Sequence, residues 1–448
     1  MKIPNLFGKI DFTRGSIIKN TFRATTPLWV GTTVFIFVHL LNTYWISRLG
    51  SEAIAAVIVG GAVFMMLIVP IQEGLVTTSF AIIGASAKGE KKDNLNRLIQ
   101  EILILAFILS LSLALIGFFL APILVNLLGA KGEVAVLAAD YARVQAIGGI
   151  ISFSFWVING IIRSNGDFFS PMVLICGVLI LQAIFDPFFI LGLAGFPKMG
   201  VAGAAFSLAL SAILGTVGGL WVLSKKNLFK RLEESKIRVE TLKDISRIAG
   251  PGSLEGFARV AGESIILRIV ASFGVPALAA YGIGFRFFRM SQVASWDLGT
   301  TTIAGVADNL GAGKIQRAKK TAWVVCGINT LLMLAVGSVL FFFAGHIAQT
   351  FTSDPEILKI TISYFKITAF AYLFVSAATI LRKAFAGAGD TVTPMFAFWG
   401  MAILNIVLAL ILPKLFWLGI NGVWIALLVG MVFYGSVLAV LFKIKGPR

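Results

Sequence analysis

The chain has 448 residues, of which 58% are hydrophobic and only 13% charged, whereas a soluble domain carries about 25% charged residues. So few charges cannot cover a water-facing surface, which excludes a soluble enzyme and points to an all-α integral membrane protein. The formal charge of +17 reflects which loops face the cytoplasm, not a nucleic-acid footprint.

A basic, amphipathic lead from Met1 to Arg23 comes first. No small-residue cleavage pattern follows it, so it is expected to stay on the chain as a cytoplasmic segment. Apolar runs long enough to cross a bilayer, about 20 residues, then recur at 24–47, 53–84, 98–128, 135–163, 168–194, 200–223, 247–273, 278–308, 321–347, 357–382, 391–415 and 419–443. They predict twelve transmembrane helices. The division expected is a six-helix lobe over 1–223, a basic cytoplasmic linker over 224–246 and a second six-helix lobe over 247–448.

Polar groups inside these spans are costly and face an interior or a water-filled cavity. The first span carries Asn42 and, near its start, Pro27. The second carries Glu73. The fourth begins with Asp140, Tyr141 and Arg143 and continues to Asn159. Asp140 and Arg143 read either as an ion pair at the outer interface or as part of an ion site. The fifth holds Gln182 and Asp186, the latter followed by Pro187, which removes a backbone donor. Asp186 is the sharpest candidate: an intramembrane carboxylate can take up a proton through desolvation or bind a cation such as Na⁺. Asn42, Asn159 and Gln182 either share its cavity or act as helix–helix glue.

The seventh span opens with Pro251 and carries Glu255, Arg259 and Glu263 at i, i+4 and i+8, one face of a helix. That ladder reads as structural or as a proton or cation relay. Arg268, and Arg286, Arg289 and Asp297 in the eighth span, extend it. Pro27 and Pro251 are expected to kink their helices, which suits either a swing during access switching or a static bend. His39 and His346 lack metal-ligand spacing. There is no phosphate-binding loop and no catalytic set, so no enzyme activity and no cofactor are expected.

Lys and Arg separate sharply by side. With the N-terminus inside, 27 of the 38 fall on inner segments and 5 on outer loops. This positive-inside bias places both termini in the cytoplasm. The halves also repeat. At an offset of 224, Pro27 falls on Pro251, Gly50 on Gly274, Gly60 on Gly284, Thr77 and Thr78 on Thr301 and Thr302, and Glu73 on Asp297. At 223, Gly166 and Asp167 fall on Gly389 and Asp390, Pro171 on Pro394 and Gln182 on Asn405; at 219, Gly200 and Gly203 fall on Gly419 and Gly422. Six spans per repeat give both halves one orientation, with a pseudo-two-fold axis expected along the membrane normal, a recurring transporter design.

Taken in order, several stretches resemble the MATE family, the multidrug and toxic compound extrusion transporters. They are Arg48-Leu-Gly50 with Glu52-Ala-Ile-Ala-Ala56, Phe273-Gly274 with Ala277 to Gly284, Asn309-Leu-Gly-Ala-Gly313, Gly166-Asp167 with Pro171-Met172, and Phe196 to Gly203. The resemblance covers nearly the whole chain. It implies antiport, with an amphiphilic or cationic small molecule leaving the cell as Na⁺ or H⁺ enters through a monomer in the inner membrane. The stretch from Asn42 to Gly50 is most similar to the DinF-like branch. There the Asn42 position is typically an aspartate paired with the one matching Asp186, and Asn42 departs from that pattern. Other branches place an acid in the seventh span, where Glu255 stands four residues after Pro251. The alternative within the larger superfamily is a flippase for a lipid-linked sugar, with Arg259, Arg268, Arg286 and Arg289 lining the cavity.

Overall fold

The computed structural model describes residues 9–88, 95–229, 238–415 and 418–446. Parts of the basic lead, of the loop after the second span and of the 224–246 linker lie outside the described residues. Among those described, every regular element is helical. The first half holds α1 (Ile17–Ser47), α2 (Ser51–Leu67), α3 (Val69–Lys88), α4 (Leu95–Leu127), α5 (Gly132–Ser164), α6 (Phe169–Leu191) and α7 (Val201–Lys225). The second holds α8 (Val239–Ala271), α9 (Val275–Gly311), α10 (Ile315–Phe342), α11 (Ala344–Gln349), α12 (Pro355–Thr368), α13 (Ala371–Gly387), α14 (Val392–Ile411) and α15 (Ile420–Lys445).

Eight of these helices are singly long and apolar enough to cross a membrane, and two more spans are bent pairs, α2 with α3 (46°) and α12 with α13 (56°). The remaining two of the twelve are α8 and α9. They are 33 and 37 residues long and fall short on hydropathy because they carry the charges from Glu255 to Asp297. At 1.5 Å per residue each is about 50 Å long, more than a bilayer core requires.

The chain forms two compact units. One takes in Phe22–Ser253 and the chain before Phe12; the other takes in Phe12–Thr21 and Leu254–Arg448. Within the first, α5 is the hub and packs on α2, α3, α4 and α7, while α6 packs on α7. Within the second, α13 packs on α9, α10 and α15, and α14 packs on α15. Under the repeat offsets these are the same pairings. The backbone repeats as well: Gly200 and Gly419, ahead of α7 and α15, sit at φ/ψ of 58/−131° and 54/−138°, a region that a Cβ forbids. Three residues on, Gly203 and Gly422 lie against neighbouring backbone, at Phe189 and Pro413, where an added Cβ would overlap.

The breaks do not repeat. In the first unit the second span bends at Ile68, just before Pro70, which has no amide hydrogen for the helix ladder. Its counterpart α9 runs unbroken. In the second unit the bend falls in the tenth span, between α12 and α13 at Ala369 and Phe370. Its counterpart α5 is continuous. Pro27 and Pro251 both lie inside uninterrupted helices. Those helices, α1 and α8, are also the spans with the least extensive backbone approach to the rest of their units.

Candidate functional site

In the first unit the carboxylate of Asp186 is fully buried on α6. Asn42, half-buried on α1, donates through Nδ2 to Asp186 Oδ2 at 2.8 Å. The aspartate that the resemblance implies at position 42 is thus replaced by an amide that still holds the second residue of the pair. Tyr141 of α5 is buried and close enough to Asp186 to feel its charge. Ser207 of α7 flanks the carboxylate as well. Its hydroxyl donates to the Gly203 carbonyl at 2.8 Å.

Two buried oxygens here have no hydrogen-bond partner, Asp186 Oδ1 and Gln182 Oε1; Asn159 Oδ1 also lacks one but lies farther along α5, where Ile158 meets Gly219, about three turns of α7 from Ser207. Gln182 lies one turn before Asp186 on the same face of α6. Asn159 spends its amide on the Phe155 carbonyl within α5, at 2.7 Å. A buried acceptor without a partner costs about 1–3 kcal/mol, and oxygens of this kind suit a hard cation. Among the described residues no three His, Cys, Asp or Glu side chains cluster as a metal group, so amide oxygens would have to complete any Na⁺ shell around Asp186.

Asp140 does not join this set. It is exposed on α5 and paired with Arg143 at 3.5 Å. Helical geometry turns its neighbour Tyr141 inward by about 100° and leaves Asp140 in an exposed pair with Arg143, apart from the buried groups.

In the second unit Glu255, Arg259 and Glu263 all line one cavity of about 180 Å³. The two acids, however, are paired across helices as well as flanked along α8. Arg382 of α13 donates through Nη1 to Glu255 Oε1 at 2.9 Å, with both side chains largely buried. Arg289 of α9 reaches Glu263 at 3.8 Å in a half-exposed pair. Arg382 thus adds a partner for Glu255 from another helix, beside Arg259 one turn along α8. In sequence Arg382 sits beside Lys383 at a loop edge and counts with the inner basic residues. Its reach to Glu255 is a tertiary fact, and only its repeat position, over Asn159, hinted at an interior role. Arg268 and Arg286 are exposed and do not line the cavity.

The turns that link spans carry their own polar order. Asp167, between α5 and α6, accepts from the Ser170 amide at 2.9 Å and pairs with Lys226 Nζ at 2.6 Å. Asp390, its repeat mate, accepts from the Thr393 amide at 3.0 Å and hydroxyl at 2.7 Å. Burial pushes the Asp167 carboxyl upward, but the bonds from Lys226 and Ser170 outweigh it and hold the pKa below the ordinary carboxylate value.

Two repeated lobes of six spans, each with buried polar groups among its helices, define a multi-pass membrane transport fold. The MatE family model matches residues 27–188 and again 251–411, and the chain belongs to the MATE family. The two matched stretches begin 224 residues apart and end 223 apart, the offsets of the internal repeat. Among relatives, the chain is 27% identical over 352 residues to a FAD transporter of Shewanella oneidensis, covering 77% of each chain. It is 26% identical over 433 residues to a probable multidrug resistance protein, YpnP, of Bacillus subtilis, covering 95% of this chain and 94% of that one. A solved MOP superfamily transporter from Pyrococcus furiosus, described by a binding pocket of reverse polarity, superposes with a TM-score of 0.90 at 24% identity over 98% of this chain and 97% of that one. That likeness shows the shared twelve-helix, two-lobe fold.

Proposed function

We propose that this chain is a cation-coupled exporter of amphiphilic small molecules, with ion coupling seated in the first lobe at Asp186. The observation that carries this reading is the Asn42–Asp186 bond at 2.8 Å, with Asp186 Oδ1 and the Gln182 oxygen one turn away both buried and without partners. A carboxylate tied to an amide has one titratable group where a carboxylate pair has two. Asn42 cannot pass a proton to or from Asp186, so the site works by exchanging one ion at Asp186 alone. The free Gln182 oxygen and the Ser207 hydroxyl beside the carboxylate favour Na⁺ over H⁺ as that ion. The family of the chain and the names of its relatives, a FAD transporter and a probable multidrug resistance protein, support export as the activity. The positive-inside bias supports cytoplasmic termini in the cell membrane.

Pro27 and Pro251 are the hinge positions in this reading, because they lie in the two most loosely packed spans. Efflux of a fluorescent substrate from vesicles under an imposed Na⁺ or H⁺ gradient tests the proposal. Efflux driven by Na⁺ and lost in Asp186→Asn supports it. Efflux indifferent to both gradients contradicts it. The flippase alternative keeps two of its four arginines, Arg259 and Arg289, in the wall of the second-lobe cavity.

A further inference from the structure

The cavity of the second lobe has features that ion coupling at Asp186 does not use. Its volume of about 180 Å³ exceeds the roughly 150 Å³ that admits a benzene ring in an apolar core. Its charged lining consists of three guanidinium groups, Arg259, Arg289 and Arg382, and two carboxylates, Glu255 and Glu263. Each carboxylate already faces an arginine across helices, so the wall sums to one positive charge. Part of that wall is a row of rings. Phe285 lies near-parallel to Tyr281 at 5.5 Å and to Phe288 at 6.5 Å, and the Arg289 guanidinium sits 5.5 Å from the Phe285 ring centre.

One further group has no partner in the protein. Tyr434 is 4% exposed, lines the cavity, and its hydroxyl makes no hydrogen bond. It lies near enough to Glu255, Arg382 and Arg259 to feel their charges. A buried phenol normally finds a partner, so the Tyr434 hydroxyl keeps a proton to donate among Glu255, Arg382 and Arg259.

We propose that this cavity binds a flat aromatic molecule carrying one oxyanion, a carboxylate or a phosphate. The ring lies along Phe285 and Tyr281, and the oxyanion accepts from the Tyr434 hydroxyl beside Arg259. An organic cation fits this wall poorly, because it meets three guanidiniums and two carboxylates that are already paired. The proposal rests on the export reading only in calling this ligand cargo, since binding is measured without transport.

The test is calorimetric titration of the full-length protein in lipid nanodiscs. The probes are 2-naphthyl phosphate, 2-naphthoate, naphthylmethylammonium, inorganic phosphate and lysophosphatidate. The two naphthyl oxyanions are expected to compete for one site and to bind at least about tenfold more tightly than the other three. Each hydrogen bond to a charged group is worth roughly a factor of ten or more, so Arg259→Gln weakens both by about that factor and Tyr434→Phe weakens them severalfold. Glu263→Gln raises the positive charge of the wall and tightens oxyanion binding, an effect that misfolding cannot mimic. Naphthylmethylammonium binding as tightly as the oxyanions overturns the proposal, as does unchanged or weaker oxyanion binding in Glu263→Gln. Tighter binding of lysophosphatidate assigns the cavity to a lipid headgroup and overturns it too. Should vesicle efflux fail while the naphthyl oxyanions bind as described, export falls and the site stands.

Discussion

The two lobes share a repeat, a packing pattern and matched glycine turns, yet their interiors have opposite chemistry. Asp186 falls under the repeat on Ala409, and Asn42 on Ile266. Both of those residues are buried in the apolar core of the second lobe. Conversely, Arg382 falls on Asn159 and Glu255 on Gly31. One lobe keeps an acid held by an amide, and the other keeps two acids compensated by arginines around a cavity. Duplication supplied the scaffold twice. Substitution at a handful of inward positions then gave the two copies different interiors. The bends differ as well, since the tenth-span bend lies beside Thr368 and Ala371, which line the cavity, while its counterpart α5 is continuous.

The largest expected effect breaks the compensated half of this comparison. Glu255→Gln leaves the mostly buried Arg382 without its carboxylate and is expected to destabilise the protein by about 3 kcal/mol. Replacing Glu255 and Arg382 together with methionine should restore most of that. Thermal unfolding of the single and double variants in detergent measures it. Equal losses in both variants would mean that the pair is not a unit.

The shared scaffold gives the next effect. Gly203→Ala and Gly422→Ala each press a Cβ into neighbouring backbone and are expected to cost about 1–3 kcal/mol. The two costs should be similar because the positions are repeat mates, and the same melting series compares them. A large loss at one with none at the other would confine the repeat to sequence.

A smaller effect lies outside the spans. The Asp167 carboxyl has its folded-state pKa held below the unfolded value. Its stabilisation is therefore present above the unfolded value, about pH 4, and fades as pH falls through the folded one. Asp167→Asn removes the Lys226 bridge, costs about 1 kcal/mol at neutral pH, and loses less relative to wild type as the pH drops below 4. Melting temperature against pH gives the difference. A constant gap across pH would show that the carboxyl charge is not what matters.

Much of this arrangement is legible in sequence, for stated reasons. Apolar length reveals all twelve spans, α8 and α9 among them despite the charges they carry, and the repeat divides them into two sets of six. Pro70 stands at the break in the second span, but Pro27, Pro122, Pro187 and Pro251 lie inside continuous helices, so a proline alone does not announce a break. The tenth-span bend is not legible, because no proline marks it and a hydroxyl bond like that of Thr368 to Tyr364 is also made by Thr302 inside the unbroken α9. Asp186 and Asn42 are recognisable as polar groups in lipid, but their contact depends on how α1 meets α6. The Glu255–Arg382 pair is invisible along the chain, since 127 residues separate its members and Arg259 offers a nearer partner on the same helix face. Asp140 and Tyr141 are adjacent and equally polar in sequence. Only the rotation of α5 sends one to the surface and the other to the interior.

The assignment of coupling to the first lobe is tested most directly by Na⁺- and H⁺-driven efflux from vesicles containing wild type, Asp186→Asn and Asn42→Asp. Asp186→Asn is predicted to abolish gradient-driven efflux while the folded protein remains intact. Asn42→Asp, which restores a second carboxylate beside Asp186, is predicted to shift the drive toward H⁺. Wild-type efflux rates in both variants under both gradients would contradict the account.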